Sequence, residues 1–249
     1  SLVSIHRGEW TNPCCLDGKP VQLISAFLED EVDGGAPIVL TQNASRVFNG
    51  FHFLGDGFLL TNTEAEELLR KHPDHKDDVF PAINGADLNG HPAQRPTRQI
   101  INFRDWTIDA AGKYEAAFLR VKHLVKPIRD TDNRALYREK WWLYAENRPG
   151  LRRHLAGLPR CFVISRPSKY LSFAAQPGGF VFTNALNVFT TDRWDHYAVI
   201  QSTIHEVWAR KYSGALETRL RYSPSDCFET FAFPAGQWQH PNPDLATIG

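Results

Sequence analysis

Two stretches of this sequence keep a helical hydrophobic period, residues 109–126 and 194–212. Nearly everything around them is cut by glycine, proline, asparagine and aspartate into strand-sized pieces. In the first, Ala110, Tyr114, Ala117/Phe118, Val121 and Leu124/Val125 share one stripe, and Pro127 stops it. In the second, Trp194, Ala198, Gln201, Ile204/His205, Trp208 and Tyr212 lie on one side. Runs at 21–28, 36–40, 51–54, 57–60, 98–103, 161–164, 171–173, 180–182 and 188–189 read as strands, with Gly55-Asp56-Gly57 as a hairpin turn. Thr63 reads as the cap of a further helix, with Glu64, Glu66 and Glu67 at its start and Arg70-Lys71 at its end. Residues 73–96 read as a loop, 136–144 as helical, 151–155 as a short basic helix and the tail as irregular and aromatic. This alternation predicts a mixed α/β (α+β) fold, with a twisted, largely antiparallel sheet flanked by helices 109–126 and 194–212.

The 249 residues suffice for one large domain or two small ones, and no spacer resembles a flexible Gly/Ser linker. No apolar run approaches the ~20 residues of a membrane helix, and the start lacks a signal-peptide pattern. The four cysteines, at 14, 15, 161 and 227, form no CxxC pair, which fits reduced thiols in a cytoplasmic protein. The chain starts at Ser1 and contains no methionine, which reads as a piece excised from a longer protein. Its 28 basic and 28 acidic residues are segregated. Residues 1–94 hold 6 Lys/Arg and 14 Asp/Glu, residues 95–169 hold 17 and 7, and residues 170–249 hold 5 and 7. We therefore divide the chain into an acidic β-rich part (1–94), a basic α/β core (95–235) and a tail (236–249). A cationic segment on an otherwise acidic body suits a polyanionic partner, or else a solvated helix face paired locally.

Recognisable catalytic patterns are missing. Phe53-Leu54-Gly55-Asp56-Gly57 matches the FxGxG loop by which methyltransferases approach S-adenosylmethionine, yet no (Asn/Asp/Ser)-Pro-Pro-aromatic tetrad follows. The nearest text is Asn242-Pro243-Asp244-Leu245. His205-Glu206 opens like a zinc-protease helix, but position 209 is alanine, so no second ligand faces the metal. Pro73-Asp74 lacks a following Glu-x-Lys, and neither a GxSxG elbow nor a P-loop occurs. By elimination the chain binds rather than catalyses, with no catalytic, cofactor or metal residue assigned.

Binding chemistry is abundant. Arg95, Arg98, Arg104, Lys113, Lys122, Lys126, Arg129, Arg134, Arg138 and Lys140 offer contacts to phosphates, the sequence-independent part of nucleic-acid affinity; Arg95, Arg98, Lys126 and Arg129 are the chosen candidates. Ser165, Arg166, Ser168, Lys169 and Tyr170, in a loop between strands, are the candidates for base edges. Trp141-Trp142 fits a core position better than a base-stacking platform.

Several segments carry a resemblance. They are Val79–Asn89, Arg95–Trp106, Val125-Lys126-Pro127-Ile128-Arg129, Trp141-Trp142, Gln201–Ala209 and Arg221–Phe231. In that order, over about residues 1–235, the chain resembles the target-recognition region of MmeI-like type IIL restriction-modification enzymes and related adenine DNA methyltransferases. A departure is Phe231-Ala232-Phe233-Pro234, where relatives often have Phe-Pro-Phe-Pro. The resemblance implies a module that chooses a double-stranded DNA sequence and positions the target adenine for flipping. It implies a covalently linked methyltransferase domain and S-adenosylmethionine in the parent protein, with neither in this chain. The alternatives are a divergent S-adenosylmethionine-dependent methyltransferase in its own right, or a protein-docking domain using the aromatic tail.

Overall fold

The computed structural model describes residues 7–9, 13–24, 30, 37–216 and 219–249, and the chain divides into two units, 1–38 and 39–249. In the first, β1 (Cys14–Leu16) and β2 (Lys19–Val21) form an antiparallel hairpin. Asp17 (φ 49°) and Gly18 (φ 79°) make its two-residue turn, the left-handed pair that matches strand twist. The strand expected at 21–28 ends at Val21, and its residues 25–28 lie outside the described residues. Of the strand expected at 36–40, residues 37–40 are irregular and Ala36 lies outside the described residues.

The strands of the second unit, in chain order, are β3 (Val47–Asn49), β4 (Leu59–Thr61), β5 (Val79–Ile83), β6 (Arg98–Ile101), β7 (Arg160–Ser165), β8 (Pro167–Ser168), β9 (Ala174–Pro177), β10 (Val181–Phe182), β11 (Leu186–Phe189), β12 (Gly214–Leu216) and β13 (Arg219–Arg221). Its helices are α1 (Asn62–Lys71), α2 (Gly85–Gly90), α3 (Ile108–Gly112), α4 (Glu115–Leu124), α5 (Lys126–Asp130), α6 (Ala135–Glu139), α7 (Pro149–Leu155), α8 (Trp194–Ile200), α9 (Thr203–Tyr212) and α10 (Pro243–Ile248). The class is mixed α+β, but the single sheet expected becomes three small ones in this unit: β10-β5-β6-β4, β3-β11-β7-β9 and β12-β13-β8. Among the described residues, the pairings between these strands are antiparallel except that of β10 with β5. The acidic-to-basic change near residue 95 divides charge only, since β6 pairs with β4 and β5 across it.

In the sheet β3-β11-β7-β9 the two central strands, β7 and β11, are buried on both faces and separate two cores. Cys161 and Val163 of β7, with Leu186 and Val188 of β11, face the core built on β4, β5, β6 and α4. Phe162, Ile164 and Phe189 face the other, with Val199, Ala209, Tyr222, Phe228 and Phe231. The alternation is the two-residue period of a strand. It appears in the sequence as an unbroken apolar run because neither face meets water. Truncating fully buried Phe162 to alanine would cost about 3–5 kcal/mol.

Both long helices break. Gly112 ends α3, and Tyr114 (ψ 64°) leaves helical geometry before α4 begins. Pro127 opens α5 rather than stopping a helix, because in a first helical turn its missing N–H has no intrahelical bond to lose. Ser202 separates α8 from α9, and its Oγ accepts the His205 N–H at 3.2 Å as a fresh N-cap. The α1 cap is Thr61, not Thr63, in a reciprocal capping box with Glu64. The tail is ordered: Asn43 Nδ2 donates to the carbonyls of Phe228 (2.9 Å) and Phe231 (2.7 Å), while its Oδ1 accepts from Trp238 Nε1. Asn242-Pro243 caps α10, which packs on α8.

Candidate nucleic-acid interface

The chain from 165 to 170 leaves the end of β7 and is fastened on both sides. The Arg166 N–H donates to Ala185 O (2.9 Å), Arg166 O accepts from the Tyr222 N–H (2.9 Å), and β8 pairs with β13. Ser165 is buried, and its Oγ lies 3.0 Å from where a Cβ on Gly85 would stand, so this residue is packed inside and offers nothing to a base. Arg166 remains half-exposed and donates one Nη1 bond to Asn184 O at 3.3 Å. Ser168 is half-buried; Lys169 and Tyr170 form an exposed tip with the ammonium 5.2 Å from the ring centroid. Lys169 O accepts from Arg210 Nη2, which fixes the tip against α9.

Arg166 opens into a cleft of about 480 Å³ whose walls also include Asn49, Arg221, Ser223, Asp226 and Glu229. Three separate elements supply them: β3, β13 and the turn after β13, whose residues Pro224–Phe228 coil as one wide helical turn. Ser225 Oγ donates to Asp226 Oδ1 at 3.0 Å. The set holds two guanidiniums, an amide, hydroxyls and two carboxylates. Guanidinium forks match guanine O6 and N7, amides match adenine, and carboxylates accept from cytosine N4. Sequence reasoning placed Arg166 here and missed Arg221, Asn49, Asp226 and Glu229. Residues 221–226 were visible only as a motif, and β3 as no more than part of an uncharacterised stretch.

The cationic segment is largely tied up. Arg129 is fully buried; its guanidinium donates to the carbonyls of Leu54, Phe53 and Leu143 and stacks near Tyr137. Burial lowers its pKa. As a phosphate contact Arg129 is corrected: it holds the turn in which Leu54 (φ 48°) and Gly55 (φ 124°) are left-handed. Lys126 pairs with Asp130 at 2.7 Å, Arg134 with Asp132, and Arg104 donates to Asp77 O. Arg138 donates to Asp132 O. Arg95, Arg98, Lys113, Lys122 and Lys140 are exposed, and their charged groups have no partner among the described residues.

Residues Asp56–Phe58 form a single 3-10 turn, not a hairpin, and a Cβ on Gly57 would stand 2.5 Å from Leu124 Cβ. That glycine backbone is covered by α4 instead of open to a ligand. His205 is buried against Tyr222 Oη (2.9 Å), and burial pushes its pKa down to about 3. Trp141 is core, and Trp142 Nε1 donates to Trp106 O. Burial lifts the Cys161 thiol to about 12 and the Cys227 thiol to about 11. Among the described residues no group of three His, Cys, Asp or Glu could hold a metal ion, and no helix is long and apolar enough to cross a membrane.

The sequence model of the MmeI target recognition domain matches residues 40–235. The chain belongs to that family. The fold of this target recognition domain also matches a solved structure of the type IIL restriction-modification enzyme MmeI in complex with DNA, with a TM-score of 0.69 and 18% identity. That match covers 92% of this chain and 30% of the other, so the target recognition domain spans under a third of that enzyme's chain. No curated protein matches the sequence. Within the matched span lie both cores and the cleft of Arg166 and Arg221.

Proposed function

We propose that this chain selects a double-stranded DNA sequence for a bacterial adenine-specific DNA methyltransferase or restriction-modification protein, in the cytoplasm and in defence against phage. The methyltransferase domain and its S-adenosylmethionine belong to other parts of the parent protein. The single observation carrying this reading is the family match over residues 40–235, which encloses a cleft of mixed donors and acceptors. Arg166 and Arg221 read base edges there; Lys169, Ser168 and Tyr170 lie beside them on a loop pinned by Arg210. Arg95 and Arg98 contact phosphates, and Lys126 does so in competition with Asp130. By itself the chain binds duplex DNA weakly, with Kd on the order of 10⁻⁴–10⁻⁶ M.

The test is made in the parent enzyme by sequencing methylated sites. Arg166→Ala and Arg221→Ala should each relax one position of the recognised motif, losing about 1–3 kcal/mol of discrimination there. An unchanged motif and rate in both variants removes the cleft from base reading. Duplex binding by this chain no better than that of an acidic control protein would instead favour protein docking.

A further inference from the structure

A second cleft, of about 430 Å³, lies where the end of β6, α7 and the β9–β10 connection meet. Its lining includes Phe51, Phe80 and Phe180, and its polar members are Asn102, Arg104 and Arg152. None of these belongs to the cleft of Arg166 and Arg221. The volume falls in the range of small-molecule sites, which are mostly apolar with a few placed polar groups.

Asn102 is more than nine-tenths buried and only half satisfied. Its Oδ1 accepts the Arg104 N–H at 2.9 Å, which holds Arg104 in a left-handed conformation (φ 55°), and its Nδ2 has no partner among the described residues. An amide held in place by its oxygen, with its donor open at a cleft wall, suits a ligand that brings an acceptor. Arg104 lies 5.3 Å from the Phe80 ring centroid and 5.6 Å from that of Trp106, and spends one donor on Asp77 O. Arg152 binds Asp105 and Asn147 O, while its Nε is buried without a partner. Aromatic rings take the face of a planar heterocycle, and guanidinium forks take a phosphate.

We infer that this cleft holds one unstacked nucleotide, its base against the phenylalanines and Asn102 Nδ2, its phosphate at Arg104 and Arg152. The source is a free mononucleotide or an extrahelical residue of a DNA strand; the ligand chemistry is the same. The inference stands on this cleft and does not depend on base reading at Arg166.

The experiment titrates the chain with dAMP, dTMP and inorganic phosphate, and with a duplex carrying one bulged nucleotide beside the same duplex intact. The variant is Gly179→Leu: an added Cβ there meets nothing within 4 Å, so the fold is kept while the side chain fills the cleft. Wild-type protein should bind a mononucleotide about tenfold more tightly than phosphate, or prefer the bulged duplex about tenfold, the scale of stacking one base. Mononucleotide binding marks the free source and bulge preference the strand source. Gly179→Leu should abolish whichever is seen and leave intact-duplex binding unchanged. Absence of both effects, or their survival in Gly179→Leu, overturns the inference, whereas failure to bind intact duplex bears on the proposed function alone.

Discussion

Replacing His205 with glutamine should change how stability depends on pH, and in one direction. The ring is fully buried between Phe173 and Phe231, with Nε2 on Tyr222 Oη and Nδ1 without a partner. Burial is the cause that holds its pKa at about 3 against the ordinary 6.5. A histidine depressed in the fold contributes stability above 6.5 that is lost as pH falls from 6.5 towards 3. Between pH 7.5 and 5 that loss is about 2 kcal/mol, at 1.36 kcal/mol per unit once below the unfolded value. Asp78 works against it: buried beside His75, its carboxyl is pushed up to about 6, so its share grows as pH falls through 6 towards 3.8. The wild-type curve alone therefore mixes two opposed slopes. Urea unfolding of wild type and His205→Gln at pH 7.5 and 5 cancels the Asp78 share in the difference. The gap between the two proteins should move by about 2 kcal/mol in favour of the variant on going to pH 5. Parallel curves would refute a neutral, desolvated ring.

Arg129→Met should destabilise the domain by about 3 kcal/mol or more in denaturant unfolding, because the carbonyls of Phe53 and Leu54 lose their donor inside the protein; a change under 1 kcal/mol would mean the turn relaxes to water. In salt titrations of duplex binding, Arg95→Ala or Arg98→Ala should flatten the log–log slope by about one unit, and Lys126→Ala by less, since Asp130 already neutralises it. A full unit for Lys126→Ala would show that DNA displaces Asp130. Calorimetric titration of the chain with S-adenosylmethionine should give no binding isotherm, with Gly57 packed under Leu124 and Val125; a saturable heat would favour the methyltransferase reading.

How far the sequence revealed this molecule depended on which signals were local. β7 was legible because an apolar run with β-branched residues has few other fates. β5 was missed inside a stretch read as loop, since Pro81 argues against a strand interior, yet Pro81 pairs opposite Gln99 there. Breaks within 109–126 and 194–212 escaped because the apolar stripe continues across Tyr114 and Ser202; the second break shows only in the capping by which Ser202 starts α9. Charge counting overstated the cationic face, because ion pairing of Lys126, Arg134 and Arg152 and the burial of Arg129 are properties of tertiary structure. The cleft was half visible. Arg166 stood out by residue type, whereas Asn49 and Arg221, 172 positions apart in sequence, meet only because β3, β11 and β7 lie side by side and β13 joins them through β8.

The two-sided sheet also separates what must stay fixed from what is free to vary. Phe162, Val163 and Val188 each press on a packed interior, so exchanging any of them disturbs one half of the domain. Arg221, Ser225 and Asp226, from β13 and the turn after it, are exposed at the cleft and belong to neither core. An ancestral lineage could therefore trade those side chains for others, altering what the cleft accepts while the framework beneath keeps folding unchanged.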